Sequence, residues 1–139
     1  MELDDITGAI VDAAVQIHRE LGPGLFESVY EALLASELQR RGMRAERQRL
    51  ISFSYNGVEI EDAFRADVLV EENVIIEVKS LERLAPVHTK QLLTYLRLTN
   101  LRVGLVLNFG AETMKEGLKR VVNDYIPSAS PRLRINRPR

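Results

Sequence analysis

Two acids and a lysine in the middle of the chain have the residue types and the spacing of a divalent-cation site. Asp67 ends the segment Arg-Ala-Asp, and Glu77 and Lys79 follow in the segment Ile-Glu-Val-Lys. Carboxylates are hard oxygen ligands of the kind that Mg²⁺ prefers, and water and phosphate oxygens complete its coordination shell. A lysine beside such an ion can stabilise the negative charge that develops on an attacked phosphate ester. These residue types therefore suggest phosphoryl chemistry, provided that the fold brings the two acids together.

The apolar pattern around these residues predicts how their strands pair. A hairpin turn at residues 71–73 gives one wholly apolar face, on which the opposed pairs are Val70–Val74, Val68–Ile76 and Ala66–Val78. A shift of one residue would mix apolar and charged side chains on that face. The same register places Asp67 opposite Glu77, with Cβ atoms roughly 5 Å apart, and Lys79 on their side of the sheet. Two carboxylates this close repel each other when partly desolvated, so one holds a proton or the pair binds a cation. An ordinary exposed strand face with a Glu/Lys pair is the alternative.

The remaining sequence predicts one α/β domain around this hairpin. Helical spacing of apolar residues precedes and follows Gly22-Pro23-Gly24, and the period changes to two from Ala45 onward. Asn56-Gly57 is a strong signal for a tight hairpin turn. The predicted elements, in the order α-α-β-β-β-α-β-α, are helices at about 6–21 and 25–41, strands at 45–55, 58–70 and 74–79, a helix at about 86–100, a strand at 101–107 and a helix at about 111–124.

Length and composition limit the class of protein. A chain of 139 residues that is 45% apolar has enough core-forming side chains for one domain. No apolar run approaches the roughly 20 residues that cross a bilayer, and the first residues do not resemble a secretory signal. We therefore expect a cytoplasmic protein with no membrane partner. The absence of cysteine excludes disulfides, thiolate metal sites and cysteine nucleophiles.

The C-terminal residues are basic, whereas the rest of the chain is acidic. Residues 128–139 contain four arginines and no acid, and the whole chain has a net charge of −1, so residues 1–127 carry −5. We expect a domain at 1–126 and a basic tail at 127–139, whose Arg132 and Arg134 would contact phosphates. A solvated tail without a binding role is the alternative, and charge alone favours it.

Two blocks of the sequence resemble a known family. The segment Gly24-Leu-Phe-Glu27-Ser-Val-Tyr30 resembles the motif that names the GxxExxY proteins, and Arg-Ala-Asp67 with Ile-Glu-Val-Lys79 resembles their later block. This family is a branch of the PD-(D/E)xK nuclease superfamily, whose fold is a helix, a mixed sheet and flanking helices. The predicted element order fits this restriction-endonuclease-like fold, and the resemblance covers residues from about 4 to 124. One departure is Ala66, which stands where the superfamily's name has proline.

The resemblance implies roles for the residues of the hairpin and of the second helix. It implies that Asp67 and Glu77 are metal ligands, with the backbone carbonyl of Val78 as a third. It also implies that Lys79 is the catalytic lysine and that Glu27 is an outer carboxylate, bound to the metal directly or through water. An acid in the first turn of a helix also stabilises the helix dipole without any metal, which is the alternative for Glu27.

A second motif lies on the helix predicted near residue 90. Gln91-Leu-Leu-Thr-Tyr95 resembles the QxxxY motif of the RecB-like nuclease branch, in which an upstream histidine can be a ligand, so His18 becomes a candidate. His88, Gln91 and Tyr95 share one helical face, and we expect Gln91 and Tyr95 to contact nucleic acid. A structural amide is the alternative for Gln91. His18 near the end of its helix would also offset the helix dipole, and Tyr30 is expected in the core.

Three functions are compatible with this sequence. The first is hydrolysis of phosphodiester bonds in nucleic acid, with DNA favoured over RNA and with Mg²⁺ or Mn²⁺ as cofactor. Its expected catalytic groups are Lys79, Asp67, Glu77, Glu27 and Gln91. The second is a nucleic-acid-binding or partner-binding module of the same fold without turnover, and the third is a small metal enzyme acting on nucleotides. A homodimer is one of the assemblies left open.

Overall fold

Two N-terminal helices precede a three-stranded meander, and a crossover helix then leads into the other half of the sheet. The computed structural model describes residues 1–124 and the backbone of residues 133–135. The elements are α1 (Leu3–Leu21), α2 (Glu27–Arg40), β1 (Ala45–Tyr55), β2 (Val58–Val70), β3 (Val74–Lys79), α3 (Pro86–Thr99), β4 (Val103–Asn108), α4 (Met114–Gly117), β5 (Leu118–Val122) and β6 (Leu133–Ile135). This arrangement confirms the predicted α/β, restriction-endonuclease-like fold class. No helix in the described part of the chain has the length and apolar character needed to span a bilayer.

The strands form one mixed sheet in the order β5-β4-β3-β2-β1-β6. β1, β2 and β3 pair antiparallel, whereas β3 and β4 pair in parallel and are joined by α3 as the crossover. The predicted register between β2 and β3 is confirmed next to the turn, where the pairs are Val70–Val74, Leu69–Ile75 and Val68–Ile76. β3 therefore lies between β2 and β4, and its last residues, 77–79, pair with β4 only.

The helix predicted at about 111–124 is wrong. Only residues 114–117 are helical, and residues 118–122 form β5, which pairs antiparallel with β4. The segment Leu-Lys-Arg-Val-Val fits a strand because branched side chains favour extended backbone, and the edge of β4 offers backbone groups that need partners. Gly117 permits the close turn between the two elements, since a Cβ there would lie 2.1 Å from the carbonyl oxygen of Asn108.

Different helices cover the two faces of the sheet. α1 and α2 pack on one face, where the buried residues include Ile10 and Leu34 together with Ile76 of β3. α3 packs on the other face through Leu92 and Leu96, in a cluster with Ile75 and Leu69. β3 is thus buried on both sides, which explains its nearly continuous apolar sequence.

The β1–β2 hairpin exchanges its two faces part-way along its length. In β2, Val68 and Val70 belong to the cluster under α1 and α2, whereas Phe64 and Ala66 belong to the cluster under α3. All four positions are even, so a regular strand would keep them on one face. The predicted pair Ala66–Val78 is therefore wrong, because its two members lie on opposite faces of the sheet.

One residue in each strand lies outside the ladder at the level of this exchange, and the register shift of the ladder comes further along, between Ile51 and Phe53. Consecutive pairs of the β1–β2 ladder, Arg47–Val68 and Arg49–Ala66, leave out Gln48 and Asp67. Gln48 has φ +53°, a left-handed backbone conformation that is rare for a residue with a side chain. Because both strands carry the additional residue at the same level, the pairing register is retained while the faces invert. We call Gln48 and Asp67 together the paired bulge.

Candidate metal and active site

The carboxylate of Asp67 lies where β2 and β3 separate. The last pair of their ladder is Val68–Ile76, and beyond it Oδ2 of Asp67 accepts a 2.8 Å hydrogen bond from the backbone N–H of Val78. The carboxylate therefore satisfies a backbone donor that the ladder leaves unpaired. This bond fixes the position of Asp67 relative to the end of β3.

Glu77 lies beside Asp67 and is almost completely buried, with 7% of its surface exposed. Burial raises the pKa of Glu77 to about 9, and the negative charge of Asp67 and a hydrogen bond between the two carboxyl groups contribute to the same shift. Oε1 of Glu77 has no hydrogen-bond partner. A buried carboxylate oxygen without a partner is costly, so this pair favours a bound proton or a cation.

Lys79 and Tyr95 also interact electrostatically with this acidic pair. Lys79 follows Glu77 by two residues on β3, and its positive charge opposes the rise in the pKa of Glu77. Tyr95 of α3 stacks on Phe64, with ring centroids 3.8 Å apart. Burial raises the pKa of the Tyr95 hydroxyl, and the charges of Glu77 and Asp67 add to that effect. Both residues, singled out from the sequence, thus share an electrostatic environment with the two acids.

Glu27 lies at the first turn of α2 and contacts the residue after Lys79. Its Oε2 accepts a 3.3 Å hydrogen bond from the backbone N–H of Ser80. The hydroxyl of Ser80 in turn donates a 2.7 Å hydrogen bond to the carbonyl of Leu25. These contacts join the start of α2 to the end of β3, and they place Glu27 at the same end of the sheet as the acidic pair.

Tyr30, three residues after Glu27, is a core residue as expected. Its ring is fully buried and stacks on Phe109 at a centroid distance of 4.4 Å. Its hydroxyl donates a 2.6 Å hydrogen bond to the carbonyl of Gly22 and accepts a 3.2 Å bond from the N–H of Leu25. Tyr30 thereby holds the Gly-Pro-Gly turn that positions the start of α2.

Three further residues singled out from the sequence, His18, Gln91 and His88, have other surroundings. The Nε2 atom of His18 is 2.8 Å from the carbonyl oxygen of Ala111, and its ring stacks near Phe109, which ties α1 to the loop after β4. Gln91 is exposed on α3. His88 accepts a 2.9 Å hydrogen bond from the N–H of Ala85 and so closes the first turn of α3.

The structure adds Glu31, which the sequence analysis missed. Only 4% of Glu31 is exposed, and its charge contributes to raising the pKa of Glu77. Its carboxylate binds the side chains of Arg47 and Gln48 on β1. A signal was present in the sequence, because Glu31 occupies a position on the buried stripe of α2 that Leu34 continues.

The acidic pair fits a hard divalent cation only in part. Asp67 and Glu77 supply carboxylate oxygens, and the unpartnered Oε1 of Glu77 is an available donor. Within residues 1–124, no three His, Asp or Glu side chains lie close enough together to hold a metal ion. Glu27 and His18 therefore do not form such a group with the pair. Arg132 lies outside the described residues, and only the backbone of Arg134 is described, in β6.

Comparison with known proteins agrees with the fold. A family model for the PD-(D/E)XK nuclease superfamily matches residues 4–121, which include both acids and Lys79. No curated protein and no solved structure matches the chain significantly. The narrower resemblance to the GxxExxY proteins stays a prediction. Members of the superfamily are usually nucleases, and they generally use divalent metals such as Mg²⁺. With most of its length matched, this chain belongs to the PD-(D/E)XK nuclease superfamily.

Proposed function

We propose that this chain is a divalent-cation-dependent nuclease that hydrolyses phosphodiester bonds in nucleic acid, with DNA favoured over RNA. The observation that carries the proposal is the pair formed by Asp67 and Glu77. Glu77 is buried, its pKa is raised to about 9, and one of its oxygens has no partner. A divalent cation relieves the repulsion between the two acids and uses the free oxygen.

In this proposal, Asp67, Glu77 and the backbone carbonyl of Val78 would hold Mg²⁺ or Mn²⁺, and Glu27 would reach the ion through water. When bound, the ion supplies positive charge that polarises a phosphoryl oxygen. The hydrogen bond from the N–H of Val78 keeps the carboxylate of Asp67 oriented before any ion arrives. Preorganisation of this kind lowers the cost of assembling the site.

Lys79 and Tyr95 act on the substrate side of the pair. The ammonium group of Lys79 stabilises the charge that develops on the phosphate and orients the attacking water. The hydroxyl of Tyr95 is protonated at neutral pH, as an ordinary tyrosine is, so it can donate a hydrogen bond to a phosphate oxygen. Gln91 on the same helix, together with Arg132 and Arg134, would contact the nucleic acid away from the cleaved bond.

Cleavage assays with a lysine variant test this proposal. Double-stranded DNA, single-stranded DNA and RNA are incubated with Mg²⁺ or Mn²⁺ and wild type, Lys79→Ala or the control Lys90→Ala, which changes an exposed lysine on α3. We expect Lys79→Ala to lower the cleavage rate by about 10²-fold or more, and Lys90→Ala to cleave like wild type. EDTA should abolish cleavage. Equal activity of wild type and Lys79→Ala, or inert proteins on all three substrates, would contradict the proposal.

A binding module without turnover is the second candidate. Its support is that, within residues 1–124, no three acidic or histidine side chains lie close enough together to hold a metal ion. This candidate predicts nucleic-acid binding that is insensitive to EDTA and falls steeply with salt. An electrophoretic mobility assay with and without EDTA separates it from the nuclease.

A further inference from the structure

Glu31 is a buried acid whose two oxygens are both occupied by neighbouring residues of β1. The Nε and Nη2 atoms of Arg47 each lie 2.9 Å from Oε2. The side-chain amide of Gln48 donates a 2.5 Å hydrogen bond to Oε1. Arg47 also reaches the carbonyl of Ser28 at 3.4 Å, so α2 holds β1 through two adjacent side chains.

One of these two side chains belongs to the paired bulge. Gln48 has φ +53°, a backbone conformation that is unfavourable for a residue with a side chain unless its surroundings stabilise it. Its hydrogen bond to Glu31 is such a stabilising contact. The residue left out of the ladder opposite Gln48 is Asp67. The contact between Gln48 and Glu31 therefore lies at the same level of the hairpin as Asp67.

The consequence of the bulge for the acidic pair follows from the exchange of faces. Without additional residues, β2 would alternate regularly and the position of Asp67 would be taken by a ladder residue. With them, Asp67 is released from the ladder and its carboxylate reaches the N–H of Val78 beside Glu77. Glu31 thus contacts the paired bulge on β1, and Asp67 is the residue of the same bulge on β2.

We propose that Glu31 is a positioning residue for Asp67, which acts through Arg47 and Gln48 by holding the paired bulge in place. Glu31 does not itself bind the ion in this proposal, because both of its oxygens are already bound. The part that concerns metal affinity rests on the proposed function. The part that concerns the Asp67 carboxylate holds without any metal.

The amide proton of Val78 reports directly on Asp67 in the metal-free protein. We expect Glu31→Ala to increase hydrogen exchange at the Val78 amide by about tenfold or more relative to the Ile76 amide of the same strand. Gln48→Ala, which changes an exposed residue, should act in the same direction. The control is Glu37→Ala on the same helix, whose carboxylate pairs with Arg41 at 2.9 Å and should leave Val78 unaffected.

A glycine at position 48 distinguishes positioning from other roles of Glu31. Glycine adopts positive φ without strain, so the bulge no longer needs the side-chain contact. Adding Gln48→Gly to Glu31→Ala should therefore restore protection at Val78. Isothermal titration with Mn²⁺ should show affinity about tenfold weaker in Glu31→Ala and regained in the double variant. Glu31→Gln, which keeps the side-chain volume, is measured in parallel in case Glu31→Ala does not fold.

The outcomes separate this inference from the proposed function. Unchanged Val78 protection in Glu31→Ala, Glu31→Gln and Gln48→Ala would overturn the positioning role. Loss of protection that Gln48→Gly does not restore would also overturn it, because Glu31 would then act by a route other than the backbone conformation of Gln48. If Val78 responds as expected while wild type binds no Mn²⁺, the positioning role stands and the metal-dependent function fails.

Discussion

Replacing Glu77 by glutamine should change how the stability of the metal-free protein depends on pH. The pKa of Glu77 is raised from 4.5 to about 9, mainly by burial. Between these two values the folded protein keeps a proton on Glu77, whereas the unfolded chain has released it. The folded state then binds more protons, so the free energy of unfolding falls as pH rises through this window and is largest below it.

The size of this effect follows from the pH interval. Where the folded state binds one proton more than the unfolded state, each pH unit changes the free energy of unfolding by about 1.4 kcal/mol. Raising pH from 5.5 to 8.5 in EDTA therefore costs wild type up to ~4 kcal/mol of unfolding free energy. Glu77 is only 7% exposed, so little of this is lost to solvent screening, but its coupling to Asp67 lowers the expected effect to about 2–4 kcal/mol.

Urea unfolding at pH 5.5, 7.0 and 8.5 in EDTA measures this difference. Wild type, Glu77→Gln and the control Glu82→Gln, an exposed acid in the following loop, are compared so that titration of other groups cancels. Wild type and Glu82→Gln should lose stability together, whereas Glu77→Gln should lose about 2–4 kcal/mol less. Mn²⁺ at 100 times its dissociation constant should return about 2.7 kcal/mol to wild type at pH 8.5. Parallel pH profiles for wild type and Glu77→Gln would refute the reasoning.

Three further changes test other parts of the structure. Tyr30→Phe removes the hydroxyl that bonds the carbonyl of Gly22 at 2.6 Å, and thermal unfolding should show a loss of about 1–3 kcal/mol. Gly117→Ala should destabilise strongly in the same assay, since the new Cβ would lie 2.1 Å from a carbonyl oxygen, whereas Gly8→Ala in α1 meets no atom within 4 Å and should stabilise by up to about 1 kcal/mol. Changing Arg132 and Arg134 together to alanine should weaken nucleic-acid binding, as measured by fluorescence anisotropy. The slope of affinity against salt concentration should fall by the equivalent of about two phosphate contacts.

The sequence alone predicted the parts of the fold that depend on the local pattern of apolar residues. The register next to the 71–73 turn followed from apolar alternation, and it brought Asp67 and Glu77 to the same end of β3. The predicted pairing of β2 with β3 was partly wrong, however, because the two acids do not oppose each other in a continuous ladder. They meet because Asp67 leaves the ladder and binds the N–H of Val78.

What the sequence did not reveal depends on contacts between distant elements. Glutamine carries no local preference for positive φ, so nothing near Gln48 marks a bulge, and its stabilising partner Glu31 lies on another element. The segment that forms β5 is too short for its apolar period to separate helix from strand, and pairing with β4 decides it. These features required the tertiary structure.

Gln48 and Asp67 belong to neither apolar cluster that packs against the hairpin that contains them. If both were deleted, Arg47 would precede Arg49 directly, Ala66 would precede Val68, and the side chains of residues 45–51 and 64–70 would keep the faces that they now occupy in regularly alternating strands. Loss of only one would instead turn all the residues beyond it to the wrong side. Evolution could therefore remove the acid without damaging either apolar cluster, but only by a coupled deletion in two strands. In this hairpin the residues that fold the two strands and the acid of the proposed cation site can be inherited separately.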